Sequence, residues 1–391
     1  MCSLAHLSRK SHFLLGWLLL ATPAAVQAQF DYTTNADGVS VTITGYTGFS
    51  NNVAIPGTLD GLLVASIGTN AFEGMSITNV TIPDSVTNIG DFAFYDCGNL
   101  YSVTIGHSVI TIGEYAFSGE NADFGYYEYS IGCPLTCVTI PDSVVIIGAD
   151  AFYGCNFLTN VIFGHSVASI GINAFSGEWV TYDGIYPPEF VPKGCPLTSV
   201  TIPNSVTNLE SDAFFGCTSL TNIAIGSGVT VLGYDAFQYC SSLASVTIPA
   251  TVTNMVYSTF ADCFNLKAIY FQGNAPGSDS SVFQADASAT AYYLPGTTGW
   301  SSTFDGVPTA LWKLPYPTFL SAAVNFGLQS NQFGFSVSWA TNTSVIVEAS
   351  TSLADPVWLP LQTNTLTNGT FYFSDPQWTN YPGRFYRVSS P

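Results

Sequence analysis

The sequence predicts a mainly β protein: a solenoid of repeated coils with a parallel sheet on one face, followed by a small antiparallel β-sandwich. Three observations support this prediction: a recurring Ala-Phe pair or close variant, an alternating apolar pattern within each interval, and short alternating segments after residue 318. The recurring rings are Phe72, Phe94, Phe117, Phe152, Phe175, Phe214, Phe237, Phe260 and Phe283. Their spacings are 22, 23, 35, 23, 39, 23, 23 and 23 residues, and such a regular period is typical of stacked repeats.

Each interval predicts one coil that contains a strand and a turn. From Leu243 to Ile248 the apolar residues stand at the first, fourth and sixth positions, so the end of the segment alternates like a half-buried strand. A Pro such as Pro249 or a Gly such as Gly226 follows, and neither continues a sheet ladder well. A Val-x-x-Ile-Gly segment and the Ala-Phe pair come next. We therefore expect the rings to form an interior column beneath the sheet.

The repeated unit can be written L-x-x-V-T-I-P-x-S-V-x-x-I-G-x-x-A-F-x-x-C, and most of its positions recur in most coils. It resembles the BspA-type leucine-rich repeat of bacterial secreted and surface proteins over about residues 39 to 285. The resemblance implies a right-handed leucine-rich-repeat solenoid with a parallel sheet on one face. It also implies adhesion or the binding of host and matrix proteins, and it brings no catalytic residue with it.

The beginning of the chain predicts export. In residues 1–28, Arg9 and Lys10 precede an apolar stretch, and the segment ending at Ala28 has the small-residue spacing of a signal-peptidase site. The apolar stretch is shorter than the about 20 residues that a membrane-spanning helix needs, so we expect no membrane insertion. The predicted location is secreted or at the cell surface.

The remaining chain divides into four predicted segments. These are an N-terminal cap at 29–65, the leucine-rich-repeat solenoid at 66–285, a C-terminal cap and linker at 286–317, and the β-sandwich at 318–391. The last segment carries short alternating stretches separated by Asn, Pro and Gly. It resembles fibronectin-like or immunoglobulin-like modules, which implies a role in attachment or an inert spacer.

The charge balance limits the class of partner. Seven Lys and Arg residues stand against 26 Asp and Glu residues, a formal net charge of -19. Phosphate backbones and anionic lipids would repel such a chain, so we expect no nucleic-acid partner. An extracellular protein or glycan is the predicted partner, and the sequence does not determine the oligomeric state.

Seven cysteines recur once per coil. They are Cys97, Cys133, Cys155, Cys195, Cys217, Cys240 and Cys263. Each lies shortly before the leucine that opens a strand, where a small polarizable side chain packs well, so we expect buried free thiols. Disulfides between adjacent coils are the alternative, since export would permit them.

Two intervals exceed the period by 12 and 16 residues, and each excess predicts a loop inserted at a turn. Both loops follow Phe-Ser-Gly-Glu and end at Gly-Cys-Pro-Leu, so we expect them at the same edge, two coils apart. Their candidate binding residues are Glu120, Asp123, Tyr126, Tyr127 and Tyr129 in the first loop, and Glu178, Trp179, Tyr182, Asp183 and Tyr186 in the second. Rings beside acids suit recognition of a sugar or a protein, whereas rings that merely cover the solenoid edge are the alternative.

The two loops also carry the residues for metal binding or catalysis, which are the alternatives to recognition. Their carboxylates are ligands that calcium prefers, so calcium binding is an alternative, and we expect no other cofactor. After residue 28 the only histidines are His107 and His165, which disfavours Ser-His-Asp or Cys-His catalysis. We expect a non-enzymatic recognition and adhesion protein with no catalytic residue and no metal site. An architectural matrix component with the solenoid as a rigid spacer, and a glycan-cleaving enzyme using Glu120 and Glu178, are the alternatives.

The strand residues that alternate with the buried Val and Ile predict the outer face of the sheet. Most of them are Ser, Thr or Asn. Ile162, Ala224 and Tyr270 interrupt this polar surface. Such a face can accept a protein or a glycan through many weak hydrogen bonds.

Overall fold

The computed structural model describes residues 28–389 except 120, 124–127, 131, 178, 183–188, 193, 313–316, 321–325, 330–331, 340–341 and 368. The regular structure of these residues is nearly all β, with a short 3-10 turn at Trp378–Asn380. The chain forms two compact units, Met1–Leu197 and Thr198–Pro391. The predicted signal peptide lies outside the described residues apart from Ala28.

The Val-Thr-Ile segments form short parallel strands, as the sequence predicts, and we call the sheet that they build the front sheet. In the first unit it consists of two paired groups, Asn52–Ala54 with Asn79–Thr81 and Ser102–Thr104, and Cys137–Thr139 with Asn160–Ile162. Equivalent residues pair, so that Val80 lies opposite Val103 and Val138 lies opposite Val161. The same side of every coil therefore faces the interior.

A second parallel sheet, which the sequence analysis did not predict, is built from the Val-x-x-Ile-Gly segments, and we call it the back sheet. In the first unit its strands are Ser40–Tyr46, Leu62–Ile67, Asn88–Ile89, Thr111–Ile112, Ile146–Ile147 and Ser169–Ile170. Phe30–Thr34 pairs antiparallel with Ser40–Tyr46, and Thr58–Leu59 pairs antiparallel with Leu62–Ile67. The segment predicted as the N-terminal cap thus adds an antiparallel strand along the edge of the first long strand, which protects that edge.

The second unit repeats this plan. Its front strands are Ser199–Thr201, Asn222–Ala224, Ser245–Ile248, Ala268–Phe271, Thr290–Tyr293 and Val307–Leu311, with Thr303–Phe304 antiparallel to the last. Its back strands are Asn208–Leu209, Val231–Leu232, Asn254–Met255 and Gly277–Ser278. The last two parallel front strands lie within the predicted cap at 286–317, so this segment continues the front sheet after the sequence period has ended.

The recurring phenylalanines stack in the interior of each unit, and the prediction of buried, stacked rings is confirmed there. Eight of the nine rings have 0% exposure, and the ninth, Phe283, has 4%. In the first unit the ring of Phe117 stacks on Phe94 and Phe152 with centroids 5.2 Å apart on both sides. In the second unit Phe237 stacks on Phe214 at 5.5 Å and on Phe260 at 5.2 Å. Each such pair contributes roughly 0.5–1.5 kcal/mol beyond its area of burial.

The seven repeat cysteines are buried free thiols, as expected. Their sulfurs point at main-chain carbonyls of the ring residues: Cys97 Sγ lies 3.0 Å from the Phe72 oxygen, and Cys263 Sγ lies 3.3 Å from the Phe237 oxygen. The thiol S–H is a weak donor, and it therefore points at a buried carbonyl oxygen that also accepts a backbone N–H.

The turn after the front strand explains why Gly follows Pro in the next coil at several places along the sequence. A Cβ added to Gly106 would lie 2.4 Å from the oxygen of Pro83, and one added to Gly226 would lie 2.2 Å from the oxygen of Pro203. A main-chain atom cannot move aside to make room for a new side chain, whereas a flexible side chain could. At these two turns the preceding coil leaves no room for a side chain, so Gly106 and Gly226 cannot be replaced without moving the backbone.

Residues 318–389 of the second unit form two antiparallel sheets around a common core, the predicted β-sandwich. One sheet contains Thr318–Leu320, Gly327–Gln329, Gln332–Ser338 and Thr370–Asp375, and the other contains Ser344–Ser350, Leu359–Thr365 and Phe385–Ser389. Phe335 and Phe373 of the first sheet pack with Val345 and Val347 of the second. Alternation predicted four of these strands, while Thr318–Leu320, Gly327–Gln329 and Leu359–Thr365 were not predicted.

Candidate recognition surface

The two inserted loops begin and end at equivalent points of their coils. In coils without an insertion the N–H of the cysteine donates to the carbonyl of the ring residue, as from Cys155 to Phe152 at 3.2 Å. The same bond closes both insertions, from Cys133 to Phe117 at 3.0 Å and from Cys195 to Phe175 at 3.3 Å. The insertions therefore replace a two-residue link and leave the coil intact.

Each insertion contains an antiparallel strand pair. Asn121–Asp123 pairs with Glu128–Ser130, and Trp179–Tyr182 pairs with Glu189–Pro192. We call these pairs the two hairpins. Strand Glu128–Ser130 of the first hairpin has Cα atoms within 8 Å of strand Trp179–Tyr182 of the second. The structure thus brings together two segments that the sequence separates by a complete coil.

The predicted binding residues fall into two groups. Asp123, Tyr129, Trp179 and Tyr182 belong to hairpin strands. The others lie outside the described residues: Glu120, Tyr126, Tyr127, Glu178, Asp183 and Tyr186. Their role in binding remains a prediction.

The outer face of the front sheet differs between the units. In the first unit it carries mainly small polar side chains, among which Asn79, Thr81, Ser102 and Thr104 are exposed, and Ala54 and Ile162 are apolar interruptions. In the second unit it begins in the same way with Ser199, Thr201 and Asn222.

Farther along the second unit three aromatic side chains meet on this outer face. The ring of Tyr270 stacks on that of Tyr292 with centroids 5.2 Å apart, and the ring of Trp312 lies 4.8 Å from that of Tyr270. We call Tyr270, Tyr292 and Trp312 the aromatic platform. The repeat pattern predicts only Tyr270 on the outer face, because Tyr292 and Trp312 lie beyond the end of the period. The outward position of Tyr292 could have been found from the alternation in Thr290–Tyr293.

A buried carboxyl group takes the place of the cysteine in the last coil. Asp286 lies three residues after Phe283, has 3% exposure, and neither carboxyl oxygen makes a hydrogen bond of normal geometry. Burial raises the pKa of Asp286 to about 8, and the nearby charge of Asp262 adds to the shift. This side chain is therefore mostly protonated at neutral pH.

A second carboxyl group in the same unit is also shifted. Burial, with the charge of Asp212, raises the pKa of Asp235 to about 7. Within the described part of the chain no three His, Cys, Asp or Glu side chains are arranged to hold a metal ion. The calcium alternative concerns hairpin carboxylates that lie mainly outside that part.

The histidines belong to turns. The backbone N–H of His107 donates to the carboxylate of Asp84 at 2.7 Å, and that of His165 donates to Asp142 at 2.8 Å. Asn204 accepts in the same way from the N–H of Ser227 at 2.9 Å. The position thus serves to connect successive turns, whether or not it holds a histidine.

Six copies of the BspA type leucine rich repeat region match the sequence, over residues 50–123, 122–182 and 188–299, which is more than half of the chain. The chain belongs to this family. Its repeats generally serve as protein-interaction scaffolds in bacterial proteins of the surface type, and they are typically non-enzymatic. The family prediction made from the repeated unit is thereby confirmed.

Solved structures of other bacterial proteins are similar in part. A leucine-rich repeat protein from Bacteroides ovatus is 26% identical, with 68% of this chain and 70% of that chain covered and a TM-score of 0.46. One from T. pallidum is 27% identical, with 55% and 88% covered and a TM-score of 0.44. A leucine rich cell surface protein from Faecalibacterium prausnitzii is 26% identical, with 69% and 82% covered and a TM-score of 0.38. The family assignment depends on the repeat sequence, since these superpositions are partial.

The search among curated proteins found no match. Among the described residues there is no helix long and apolar enough to cross a membrane.

Proposed function

We propose that this protein is a non-enzymatic extracellular recognition and adhesion protein, which binds a protein or a glycan through its outer repeat surface and the two hairpins. The observation that carries the proposal is the pair of neighbouring hairpins in coils that close without them. An insertion that the fold does not need, placed on a rigid scaffold, is where binding residues are commonly found.

The composition of the hairpins supports recognition. Trp179 and Tyr182 lie in one hairpin strand and Tyr129 in another. Trp and Tyr dominate the binding energy of many interfaces, because they offer a large apolar area with a polar group at the edge. Strand pairing restricts the backbone, which lowers the entropy lost on binding.

Residues 1–28 support an extracellular location, since they have the pattern of a signal peptide. The family is of bacterial surface type, and one similar structure is described as a cell surface protein. The C-terminal sandwich is proposed to be a fibronectin-like or immunoglobulin-like module that presents the repeats away from their attachment point.

A short-link variant tests the hairpins. Residues 118–132 and 176–194 are replaced by the two-residue links Tyr-Asp and Tyr-Gly, which stand between ring and cysteine at 95–96 and 153–154. We expect retention on an array of matrix proteins and glycans to be lost, while the free energy of unfolding changes by less than about 1 kcal/mol because surface loops are tolerated. Variants with only one hairpin replaced serve as matched controls.

Three other outcomes are distinguishable. Unchanged retention by the short-link variant would reject the hairpins as the binding element, and a protein that binds nothing on the array would favour the architectural alternative. Retention that is lost in a chelator would identify calcium as a component of the site. Release of reducing sugar ends that disappears in Glu120→Gln or Glu178→Gln would replace the proposal with a glycan-cleaving enzyme.

A further inference from the structure

The fold does not require the aromatic platform. Thr247 holds the register position of Tyr270 one strand earlier, and Ala310 holds that of Tyr292 one strand later. The neighbours Ile269 and Phe271 are buried and supply the core side of the strand. The platform rings are therefore additional to the core, and each is partly exposed.

The three strands around the platform carry no charged side chain, and the exposed Lys267 directly precedes the middle one. Ser245–Ile248, Ala268–Phe271 and Thr290–Tyr293 contain no Asp, Glu, Lys or Arg. Thr247 and Thr290 stand next to the rings on the outer face, and the exposed Ser245 lies on the same strand as Thr247. Hydroxyl groups that both donate and accept thus border a stacked pair of rings.

This combination matches the two sides of a pyranose sugar. The face of the sugar ring that carries C–H groups packs on an aromatic ring, and its hydroxyls exchange hydrogen bonds with Ser and Thr. A carboxylated or sulfated sugar would be repelled by a chain whose net charge is -19. The charge therefore favours a neutral ligand.

We propose that the aromatic platform is a binding site for a neutral glycan. The site deepens the recognition function proposed above and rests on it, but it uses residues other than those of the hairpins. Tyr270, Tyr292 and Trp312 provide the stacking surface, and Thr247 and Thr290 provide hydrogen bonds.

A proline-rich peptide is the other ligand that aromatic side chains commonly bind. Such peptides lie in grooves between projecting rings. Tyr270 and Tyr292 instead occupy adjacent register positions on a sheet face, and their rings stack with planes 23° from parallel. A stacked pair on a flat face, bordered by hydroxyls, favours a sugar ring.

Titration calorimetry on the full chain tests the site. The probes are neutral hexasaccharides of glucose, mannose and xylose, a hyaluronan hexasaccharide as the acidic arm, and decaproline as the peptide arm. We expect saturable binding of at least one neutral hexasaccharide and of neither other probe. Tyr292→Ala and Trp312→Ala should each weaken it about tenfold, whereas Tyr292→Phe, which keeps the ring, should stay within about threefold.

Tyr257→Ala is the matched control. Tyr257 stacks on Tyr234 at 5.1 Å in the same unit, and the two side chains are 49% and 44% exposed. The nearby charge of Asp235 raises the pKa of Tyr234, so this pair has an acidic surrounding that the platform lacks. Its loss should leave glycan affinity unchanged.

Several results would overturn the site. They are the absence of binding to every neutral hexasaccharide, tighter binding of decaproline or hyaluronan, and equal losses in Tyr292→Ala and Tyr257→Ala. The short-link variant separates this inference from the proposed hairpin function, because it should keep its hexasaccharide affinity even if it loses retention on the array. If an alanine variant does not fold, two other variants test the site. Tyr292→Phe, which keeps the ring, should keep its glycan affinity, whereas Thr247→Val, which loses the hydroxyl, should bind more weakly.

Discussion

The front sheets of the two units have the same inner face and different outer faces. On the inner face Val80 and Val138 of the first unit are as buried as Val200 and Val246 of the second, all at 1–2% exposure. On the outer face the first unit carries mainly Asn, Ser and Thr, whereas the second adds the aromatic platform.

This comparison shows that stacking of the coils restricts the inward side chains of the front sheet and leaves the outward side chains free to vary. An inward side chain touches the coil before it and the coil after it, so its size is set in every coil. An outward side chain is limited only by strand geometry and by its neighbours across the sheet. Recognition can therefore change on the outer face at little cost to the fold.

The largest expected effect tests whether the interiors of the two units are equivalent. Phe152→Ala in the first unit and Phe237→Ala in the second each remove a ring of 0% exposure that stacks on both sides. We expect each to lower the free energy of unfolding by about 3–5 kcal/mol, measured in urea.

Thr139→Ala and Thr247→Ala are the outer-face controls, and each should cost less than about 0.5 kcal/mol. A large loss for only one of the two phenylalanine variants would show that the interiors are not equivalent.

A smaller effect on stability is expected from Asp286, which stands at the cysteine position in the second unit. The pKa of Asp286 is about 8 in the folded protein against an ordinary value of 3.8. The folded state keeps a proton that the unfolded state loses, so the free energy of unfolding falls as the pH rises from about 4 to about 8. Asp286→Cys should remove this fall and be more stable than the parent at pH 8 by about 1–3 kcal/mol, the cost of an unsatisfied buried polar group.

Urea unfolding at pH 5, 6.5 and 8 measures the difference between parent and variant, in which the shifted Asp235 cancels. Asp286→Asn, which keeps a polar group in place, should show the same pH-dependent difference from the parent. Parallel pH curves for the parent and Asp286→Cys would contradict the assignment.

The smallest expected effect concerns the reactivity of the repeat thiols, which should be equally low in both units. Burial raises the pKa of Cys195 to about 12, and it raises those of Cys155 and Cys240 well above 9.0. We expect none of the seven repeat thiols to react with iodoacetamide at pH 8 in the folded protein, and all to react in denaturant, as read by peptide mass spectrometry. Peptides joined by disulfides between adjacent coils, or labelling confined to one unit, would contradict this picture.

Much of the fold was predictable because burial repeats with the sequence. The stacked rings within each unit, the front strands and the cysteine positions all follow from one period. The back sheet was not predicted, since strands such as Asn88–Ile89 have two residues and show no alternation. The front strands Thr290–Tyr293 and Val307–Leu311 were missed because they pair in the sheet without keeping the repeat sequence.

The candidate sites were less predictable. The two insertions could be located from interval lengths, and their common edge could be expected. The proximity of strand Glu128–Ser130 to strand Trp179–Tyr182 could not be predicted. An insertion lies outside the period, so its path depends on how its own strands pair.

By itself the sequence determined a stack of coils with a ring and a strand in each and a thiol in seven of them, because a residue that recurs every 23 positions meets its own equivalents when the coils stack. Only the tertiary structure decided which unrelated residues meet. Tyr270, Tyr292 and Trp312 are 22 and 20 residues apart and share no motif, yet pairing of their strands places their rings in contact. Asp286 looks like a surface acid in the sequence, and it is buried because it occupies the position that cysteine holds in seven other coils.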